Sequence, residues 1–232
     1  MSDTPNIHPN MLQKIKTDQI VQEGDPDYPP RILLLYGSLR ERSYSRLLSE
    51  EASRILQLLG AETKIFSPRN LPAIDTDDGS HSKIRELREL AIWSDGMVWV
   101  SPEHHGAVSS ILKSQIDWLP FALSGAHSTQ GKTLALCQIS GGFQSFNTLN
   151  QMRIVGRWMR MIVIPNQSSI PQVSSEFDDK GRMYPSKYYN RIVDVMEELV
   201  KYTWLIRGRS AYLLDSYSDR LAKKGKMSLQ TN

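Results

Sequence analysis

The chain has 232 residues, 40% of them hydrophobic and 23% charged, and a formal net charge of +3, so it is long enough for one large domain with a sizeable core. The small net charge does not point to nucleic acid as a partner, and no apolar run approaches the ~20 residues that a membrane-spanning helix needs. The single cysteine, Cys137, excludes an internal disulfide, and with no signal-peptide core near the N-terminus it predicts a cytoplasmic protein.

The two ends of the chain differ in composition from its middle. Residues 1–30 carry five prolines and predict an irregular N-terminal arm with one short helix over 11–22. Such an arm is either a loose leader or a segment that lies on a partner subunit. Residues 209–232 are predicted as a C-terminal tail, and its part from 220 to 232 is basic and polar and is expected to be loose. The intervening residues 31–208 are predicted to form the folded domain.

Five short predicted strands alternate with five amphipathic segments in this domain, and they lie at 31–36, 62–66, 96–100, 132–139 and 161–164. Apolar runs such as the first and the third are typical of strands buried on both faces of a parallel sheet, whereas the second is partly polar and is expected at an edge. The segments between them repeat apolar residues at spacings of three and four, which predicts helices at 43–59, 81–94, 108–118, 144–158 and 186–207. This alternation predicts an α/β fold, a three-layer sandwich with a five-stranded parallel sheet between two helical layers.

Right-handed crossovers leave few topologies for such a sheet, and the order 2-1-3-4-5 places strands one, three and four side by side. Ligands of open α/β sheets bind at the carboxyl ends of the strands, where the strand order reverses. The loops after strands one, three and four are therefore expected to line one crevice. Their sequences are GSLRERSYS, SPEHHG and SGG.

The first of these loops is suited to a phosphate. Gly37 allows a sharp turn, the hydroxyls that follow lead into a helix N-terminus, and Arg40 or Arg42 supplies a two-pronged donor. The loop is not a Walker A sequence, and with Gly37 alone it is not a dinucleotide fingerprint either. The alternative is an ordinary turn in which the serines only cap the helix.

The other two loops are suited to a flat heterocycle. SPEHHG offers a stiff turn, two imidazoles and a glycine, and SGG offers backbone N–H groups with no side chains in the way. Backbone donors around a flat ring with one phosphomonoester describe a flavin mononucleotide (FMN) site. The alternative is that the histidines only cap the next helix. Lys113 with Asp117 is interpreted as a structural ion pair.

These motifs carry a family resemblance. GSLRERSYS and the stretch SPEHHGAVSSILKSQIDW resemble the NADPH-dependent FMN reductases of the flavodoxin-like superfamily, and GRWMRMIVIPNQSS resembles the ArsH group of arsenic-resistance flavoproteins within it. The resemblance implies a flavodoxin-like fold with FMN as cofactor and NADPH as co-substrate. It implies FMN contacts at Ser38, Arg40, Ser43, Tyr44, Ser45, Pro102, Glu103, His104, His105, Gly106, Ser140, Gly141 and Gly142.

The resemblance also implies a function. It predicts an NADPH-dependent reductase that passes electrons to quinones, metal ions, dioxygen or organoarsenicals, linked to arsenic resistance or oxidative-stress defence. The alternative is a flavodoxin-type electron carrier, although such carriers are usually acidic and have a phosphate loop rich in Thr and Gly. A phospho-receiver domain would need an aspartate after strand three, where Ser101 stands.

Three further expectations concern subunit partners, metals and catalytic side chains. The resemblance implies a homo-oligomer, predicted as a tetramer, and the apolar residues offered for its interface are Trp118, Leu119, Phe121, Tyr202 and Trp204. The alternative places these residues in the core of the monomer. Asp75, Asp77, Asp78 and His81 are interpreted as loop and capping residues and not as a metal site. No side chain is predicted to act as a catalytic acid or base.

Overall fold

The computed structural model describes residues 3–7, 12, 15–19, 23–120, 122–123, 126–217 and 220. Half of the predicted helix at 11–22 lies outside these residues, and its described part contains a 3-10 turn at Thr17–Gln19. Residues 221–232 of the predicted tail also lie outside them. Leu12 and Ile15 of the arm pack against the main core. None of the helices in the described ranges is long and apolar enough to cross a membrane.

Eight strands and six helices make up the described chain. The strands are β1 (Arg31–Tyr36), β2 (Glu62–Phe66), β3 (Gly96–His104), β4 (Ala107–Val108), β5 (Ala122–Leu123), β6 (Ala126–His127), β7 (Thr133–Ile139) and β8 (Ile162–Ile170). The helices are α1 (Tyr44–Leu58), α2 (Ser82–Trp93), α3 (Ser110–Asp117), α4 (Asn147–Trp158), α5 (Lys187–Arg207) and α6 (Ser210–Leu214). A 3-10 turn covers Val173–Glu176.

The main sheet has the predicted order. Its parallel strands run β2-β1-β3-β7-β8, which is 2-1-3-4-5 when the five predicted strands are counted, and β4 pairs antiparallel with the end of β3. The fold class is thus confirmed. Strands β5 and β6 form a separate two-stranded hairpin.

Alternation along the central strands builds two cores, one on each face of the sheet. Ile32 and Leu34 of β1 belong to the core formed with α1 and α5. Leu33 and Leu35 belong to the core formed with α2, α3 and α4. All four side chains are fully buried, because both faces of a parallel sheet are covered by helices.

Local capping fixes the helix ends. Gly60 has φ +86°, the left-handed conformation that ends a helix, and Ala61 N–H donates to the Leu56 carbonyl over 2.9 Å. In the aspartate-rich loop, Asp77 accepts from the N–H groups of Gly79 and His81. His81 in turn caps α2 through its Nδ1 atom.

The described chain contains no cluster of three or more His, Cys, Asp or Glu side chains suited to a metal. The hydrogen bonds that Asp77 accepts and the cap that His81 forms on α2 confirm the capping interpretation of the aspartate-rich loop. Lys113 and Asp117 form the predicted ion pair, with Nζ 2.6 Å from Oδ1.

The structure corrects the predicted bounds of β3. This strand continues through Pro102 and Glu103 to His104, where a loop was predicted. His105 (φ +50°) and Gly106 (φ +76°) then form a two-residue turn that leads into β4. Positive φ at both central residues is the signature of the hairpin turns that match the right-handed twist of paired strands.

The predicted fifth strand is too short, because β8 runs to Ile170 through a bulge. Its pairing with β7 shifts register between Leu134 and Leu136, around Pro165. A proline is accommodated at such a bulge, since no ladder N–H is needed there. Arg153 of α4 donates to the carbonyls of Ile164 (3.2 Å) and Pro165 (2.7 Å) and to Gln167 Oε1 (2.6 Å).

The described residues that were offered for a subunit interface are buried or partly buried in the monomer. Trp118 and Leu119 are only 5% and 4% exposed, and Trp118 Nε1 donates to the Pro72 carbonyl over 2.8 Å. Tyr202 and Trp204 pack partly against the core of α1 and α5. The interface role predicted for Trp118 and Leu119 is therefore wrong, because they belong to the core of the monomer. Phe121 lies outside the described residues.

The bulge gives a stability test. Arg153→Ala removes three hydrogen bonds from a charged donor and is expected to lower the free energy of unfolding by about 2 kcal/mol. Urea unfolding measures this loss. Arg157→Ala, on the exposed side of the same helix, is the matched control and is expected to stay within about 0.5 kcal/mol of the parent. Equal stability of the two variants would show that the bulge does not depend on Arg153.

Candidate functional site

A cavity of about 260 Å³ lies at the carboxyl ends of β1, β3 and β7, where the sequence predicted a crevice. All predicted site residues except His105, Gly106 and Gly142 line it. The lining residues are Ser38, Arg40, Arg42, Ser43, Tyr44, Ser45, Pro102, Glu103, His104, Ile139, Ser140, Gly141, Val173 and Ser174.

The close approach of the first and second loops depends on Gly37. Its N–H donates to the Val100 carbonyl over 2.9 Å, which continues the pairing of β1 with β3. A Cβ atom at residue 37 would lie 2.3 Å from Ser109 Oγ and 2.9 Å from Pro102 Cδ. Only glycine fits at this point without moving the start of α3 or the end of β3.

The N-terminus of α1 forms the phosphate side of the cavity. The N–H groups of Tyr44 and Ser45 are the first of the helix, so they have no acceptor within it, and the helix dipole favours an anion beside them. Ser43 is the N-cap, with its Oγ accepting from Arg46 N–H over 3.1 Å and lying 3.1 Å from Ser45 Oγ. The capping alternative is thus true for Ser43, and the free N–H groups remain available to a ligand.

The two arginines of the first loop have different surroundings. Arg42 donates to the carbonyls of Asp178 (2.6 Å) and Asp179 (3.1 Å), so its guanidinium holds the loop against the segment after β8. Arg40 lines the cavity and has no carboxylate within ion-pair distance among the described residues. Arg40 is therefore the cation that remains free for an anionic ligand.

The second loop is fixed through Glu103. Gln138, buried on β7, donates from Nε2 to Glu103 Oε2 over 2.7 Å and accepts from Leu149 N–H over 3.0 Å. Thr148 Oγ1 also lies 3.4 Å from Glu103 Oε2. These contacts tie the backbone of this wall to the first turn of α4. His104 lines the cavity, and Ser109 caps α3 where a histidine cap was the alternative.

The third loop leaves open space above its backbone. A Cβ atom added at Gly141 or Gly142 would meet nothing within 4 Å. Ser140 is held in place because its N–H donates to Ile170 and its carbonyl accepts from Val173 N–H, over 2.9 and 3.0 Å. Val173 and Ser174 were missed from the sequence, because the strand before them was predicted to end at residue 164.

Cys137 lies below the site in β7 and takes no part in it. Its side chain is fully buried, and burial raises the pKa of its thiol to about 12. The thiol therefore stays protonated at neutral pH and is neither a nucleophile nor a metal ligand there.

The donor set fits FMN. Helix N–H groups, serine hydroxyls and Arg40 suit a phosphomonoester, whereas the backbone of the second and third loops suits a flat ring. This fit rests on the cavity lining and on the open space above the glycines of the third loop.

Fold and crevice together define a flavodoxin-like α/β protein. Among solved structures, the chain is similar to FerB, a flavoenzyme NAD(P)H:(acceptor) oxidoreductase from Paracoccus denitrificans, with TM-score 0.60, 18% identity and coverage of 72% of this chain and 97% of that one. It is also similar to an archaeal flavodoxin, with TM-score 0.51, 12% identity and coverage of 75% and 98%. At these identities the likeness shows the fold alone.

The sequence comparisons show the family. A family model described as NADPH-dependent FMN reductase matches residues 30–175. "NADPH-dependent FMN reductase ArsH" of Rhizobium meliloti is 64% identical over 191 residues, which is 82% of this chain and 79% of that protein. The protein of the same name from Acidithiobacillus ferrooxidans is 54% identical over 228 residues, which is 98% and 96%. The chain belongs to the NADPH-dependent FMN reductase family.

Membership of this family decides between the two predicted functions, an NADPH-dependent reductase and a flavodoxin-type electron carrier. Flavodoxin carriers share the fold, so the sheet alone does not separate the two classes. The family is one of reductases with FMN as cofactor and NADPH as electron donor, and the chain is accordingly an NADPH-dependent FMN oxidoreductase.

The free guanidinium of Arg40 gives the test of the phosphate side. Arg40→Ala removes a charge-assisted donor, which is expected to weaken FMN binding by about 10- to 100-fold. Fluorescence titration of the flavin-free protein with FMN measures the affinity. Arg85→Ala, an exposed arginine on α2, is the control and is expected to bind FMN like the parent. Unchanged affinity in Arg40→Ala would place the phosphate elsewhere.

Proposed function

We propose that this oxidoreductase takes electrons from NADPH and passes them to small molecules, namely quinones, metal ions, dioxygen or organoarsenicals, in arsenic resistance or oxidative-stress defence. The observation that carries the proposal is the crevice with Arg40 and a free helix N-terminus on one side and bare glycines on the other. Related proteins named for small-molecule acceptors are an NADPH:quinone oxidoreductase from Arabidopsis thaliana and an FMN-dependent NADPH-azoreductase from Staphylococcus aureus, each 24% identical.

Each wall of the crevice has a proposed task. Bound FMN supplies the chemistry, since it accepts a hydride from NADPH and gives two electrons to an acceptor. Arg40 and the N–H groups of Tyr44 and Ser45 hold the phosphate. The backbone from Pro102 to His104 and from Ser140 to Gly142 orients the ring.

The glycines of the third loop have a further task. Because Gly141 and Gly142 carry no side chains, they leave room for a donor or an acceptor beside the ring. No acid–base side chain is needed when a proton from water completes the reduction of a quinone or of dioxygen to hydrogen peroxide.

Any arsenic function is proposed to run through this redox chemistry. Soft centres such as trivalent arsenic favour several thiolates at once. This chain has one cysteine, and Cys137 is buried with a raised pKa. Capture of arsenite by protein thiols is therefore not part of the proposal.

The proposal is tested by anaerobic titration followed by acceptor assays on the purified protein. One equivalent of NADPH is expected to bleach the flavin absorbance, and admission of a quinone or of oxygen to restore it. Cys137→Ser is expected to keep turnover near the parent level and to retain any protection of cells against arsenicals.

Two results would contradict the proposal. The first is a parent protein that cannot be reconstituted with FMN or does not oxidise NADPH. The second is arsenite binding by the parent that is lost, together with activity, in Cys137→Ser.

We also propose that the protein is cytoplasmic and forms a homotetramer, with an interface other than the one expected from the sequence. An apolar strip of two exposed side chains lies on α4, with Ile154 56% and Trp158 68% exposed, and Phe143 in the loop before this helix is 91% exposed. Ile154 and Trp158 are four residues apart and so share one helix face. Exposed apolar patches of this kind mark protein–protein contacts.

Light scattering at micromolar concentration tests the assembly. The parent is expected to have the mass of a tetramer, and Trp158→Glu to shift the mass towards smaller species, because a buried carboxylate would be left unpaired in the interface. Leu213→Glu, at an exposed apolar residue of α6, is the control. A monomeric parent would reject the assembly, and equal effects of both variants would reject this strip as the interface.

A further inference from the structure

A second cavity of about 500 Å³ lies beside the crevice, between α1 and the end of β2. Its floor is polar, with Tyr36 Oη 3.4 Å from Ser67 Oγ. Three arginines line it, namely Arg40 of the first loop, Arg46 of α1 and Arg69 of the segment after β2. Nothing in the proposed flavin chemistry uses the side of this cavity that Arg69 forms.

The charges of this second cavity favour an anion. Arg46 is paired with Glu50, with Nη1 3.2 Å from Oε1, and Glu41 is a further carboxylate in the lining. Arg40 and Arg69 have no carboxylate within ion-pair distance in the described ranges, and the three arginines against Glu41 and Glu50 leave the lining with a net charge of +1. Arg40 is shared with the proposed flavin phosphate site, whereas Arg69 is not. Planar guanidinium forks match the oxygens of a phosphate.

Arg69 is an exposed residue that is partly fixed in place. Its Nη2 atom donates to the Leu39 carbonyl over 3.2 Å, which anchors the guanidinium to the first loop. The other N–H groups of its fork remain available to a ligand in the cavity.

The two cavities share a wall. Ser38 and Arg40 line both, so the first loop is a ridge with the flavin crevice on one side and the second cavity on the other. A molecule that lies across this ridge has one end in the flavin crevice and the other end among the arginines. NADPH is such a molecule, since its nicotinamide must meet the ring, and its adenosine 2′-phosphate is the only group that distinguishes it from NADH.

We infer that this second cavity binds the adenosine 2′-phosphate of NADPH, with Arg69 as the residue that sets the preference over NADH. The inference rests on the reductase function proposed above, and it assigns that function a nucleotide subsite. Arg69 acts on this subsite and not on the flavin, because it lies outside the lining of the flavin crevice.

A third cavity is a competing candidate for the 2′-phosphate site, and the same experiment must exclude it. It has about 460 Å³, lies beyond β8, and is lined by Lys187, Arg191, Phe146 and Tyr188 among others. It is basic and aromatic as well, but it shares no lining residue with the flavin crevice. Arg191→Ala is therefore the matched control for Arg69→Ala.

The experiment uses the full-length protein with FMN bound and has two measurements. Calorimetry measures the affinity for adenosine 2′,5′-bisphosphate and for adenosine 5′-monophosphate, which lacks the 2′-phosphate. Steady-state kinetics measures the ratio of kcat/KM for NADPH to that for NADH. Arg69→Ala is expected to lower the bisphosphate affinity and this ratio about tenfold each, with FMN affinity unchanged, since one charge-assisted contact is lost. Arg69→Lys is expected to lose less, because it keeps the charge without the fork.

The outcomes separate this inference from the reductase function. The subsite would be overturned if Arg69→Ala kept the parental ratio of kcat/KM values and the parental bisphosphate affinity. It would also be overturned if only Arg191→Ala lost that ratio and that affinity. A parent that fails to oxidise NADPH would count against the reductase function, and calorimetry with the bisphosphate would still decide whether the second cavity is a phosphate site.

Discussion

The flavin crevice depends on the absence of a side chain at residue 37. Gly37 lets the end of β1 lie against Pro102 and Ser109, with no room between them even for one methyl group. That contact brings the phosphate loop and the end of β3 to the same edge of the sheet, and the pairing of β3 with β7 adds the third loop. A larger residue would separate the two walls that are proposed to hold opposite ends of one cofactor. The site is thus set by backbone packing before any side chain contacts a ligand.

Much of the fold could be predicted from the sequence, because its central strands are buried on both faces. The runs at β1, β3 and β7 are apolar for this reason, and the helices between them show one apolar stripe each. The prediction failed in two strands whose later residues are mostly polar. The end of β3 pairs with the short strand β4, and β8 continues past a bulge that Arg153 holds, so the polar residues there resemble loops in the sequence alone.

The site was predictable to a similar degree and for related reasons. Residues that directly follow a central strand were found, since strand order brings such loops together. Val173 and Ser174 were missed because they follow the misjudged end of β8. The separate environments of Arg40 and Arg42 depend on carbonyls far along the chain, and no local pattern records such a contact. Likewise, Arg46 and Arg69 line one cavity because α1 packs beside the end of β2, although they are distant in the sequence.

The contact of Arg42 with Asp178 and Asp179 has a consequence for how the protein is made. The phosphate loop is held by a segment that lies about 137 residues further along the chain, and the ring of Phe177 rests on Tyr44 in the same place, with centroids 5.9 Å apart. A ribosome releases the loop long before it releases that segment. The nascent chain therefore completes most of its sheet before the contacts that hold this loop can form.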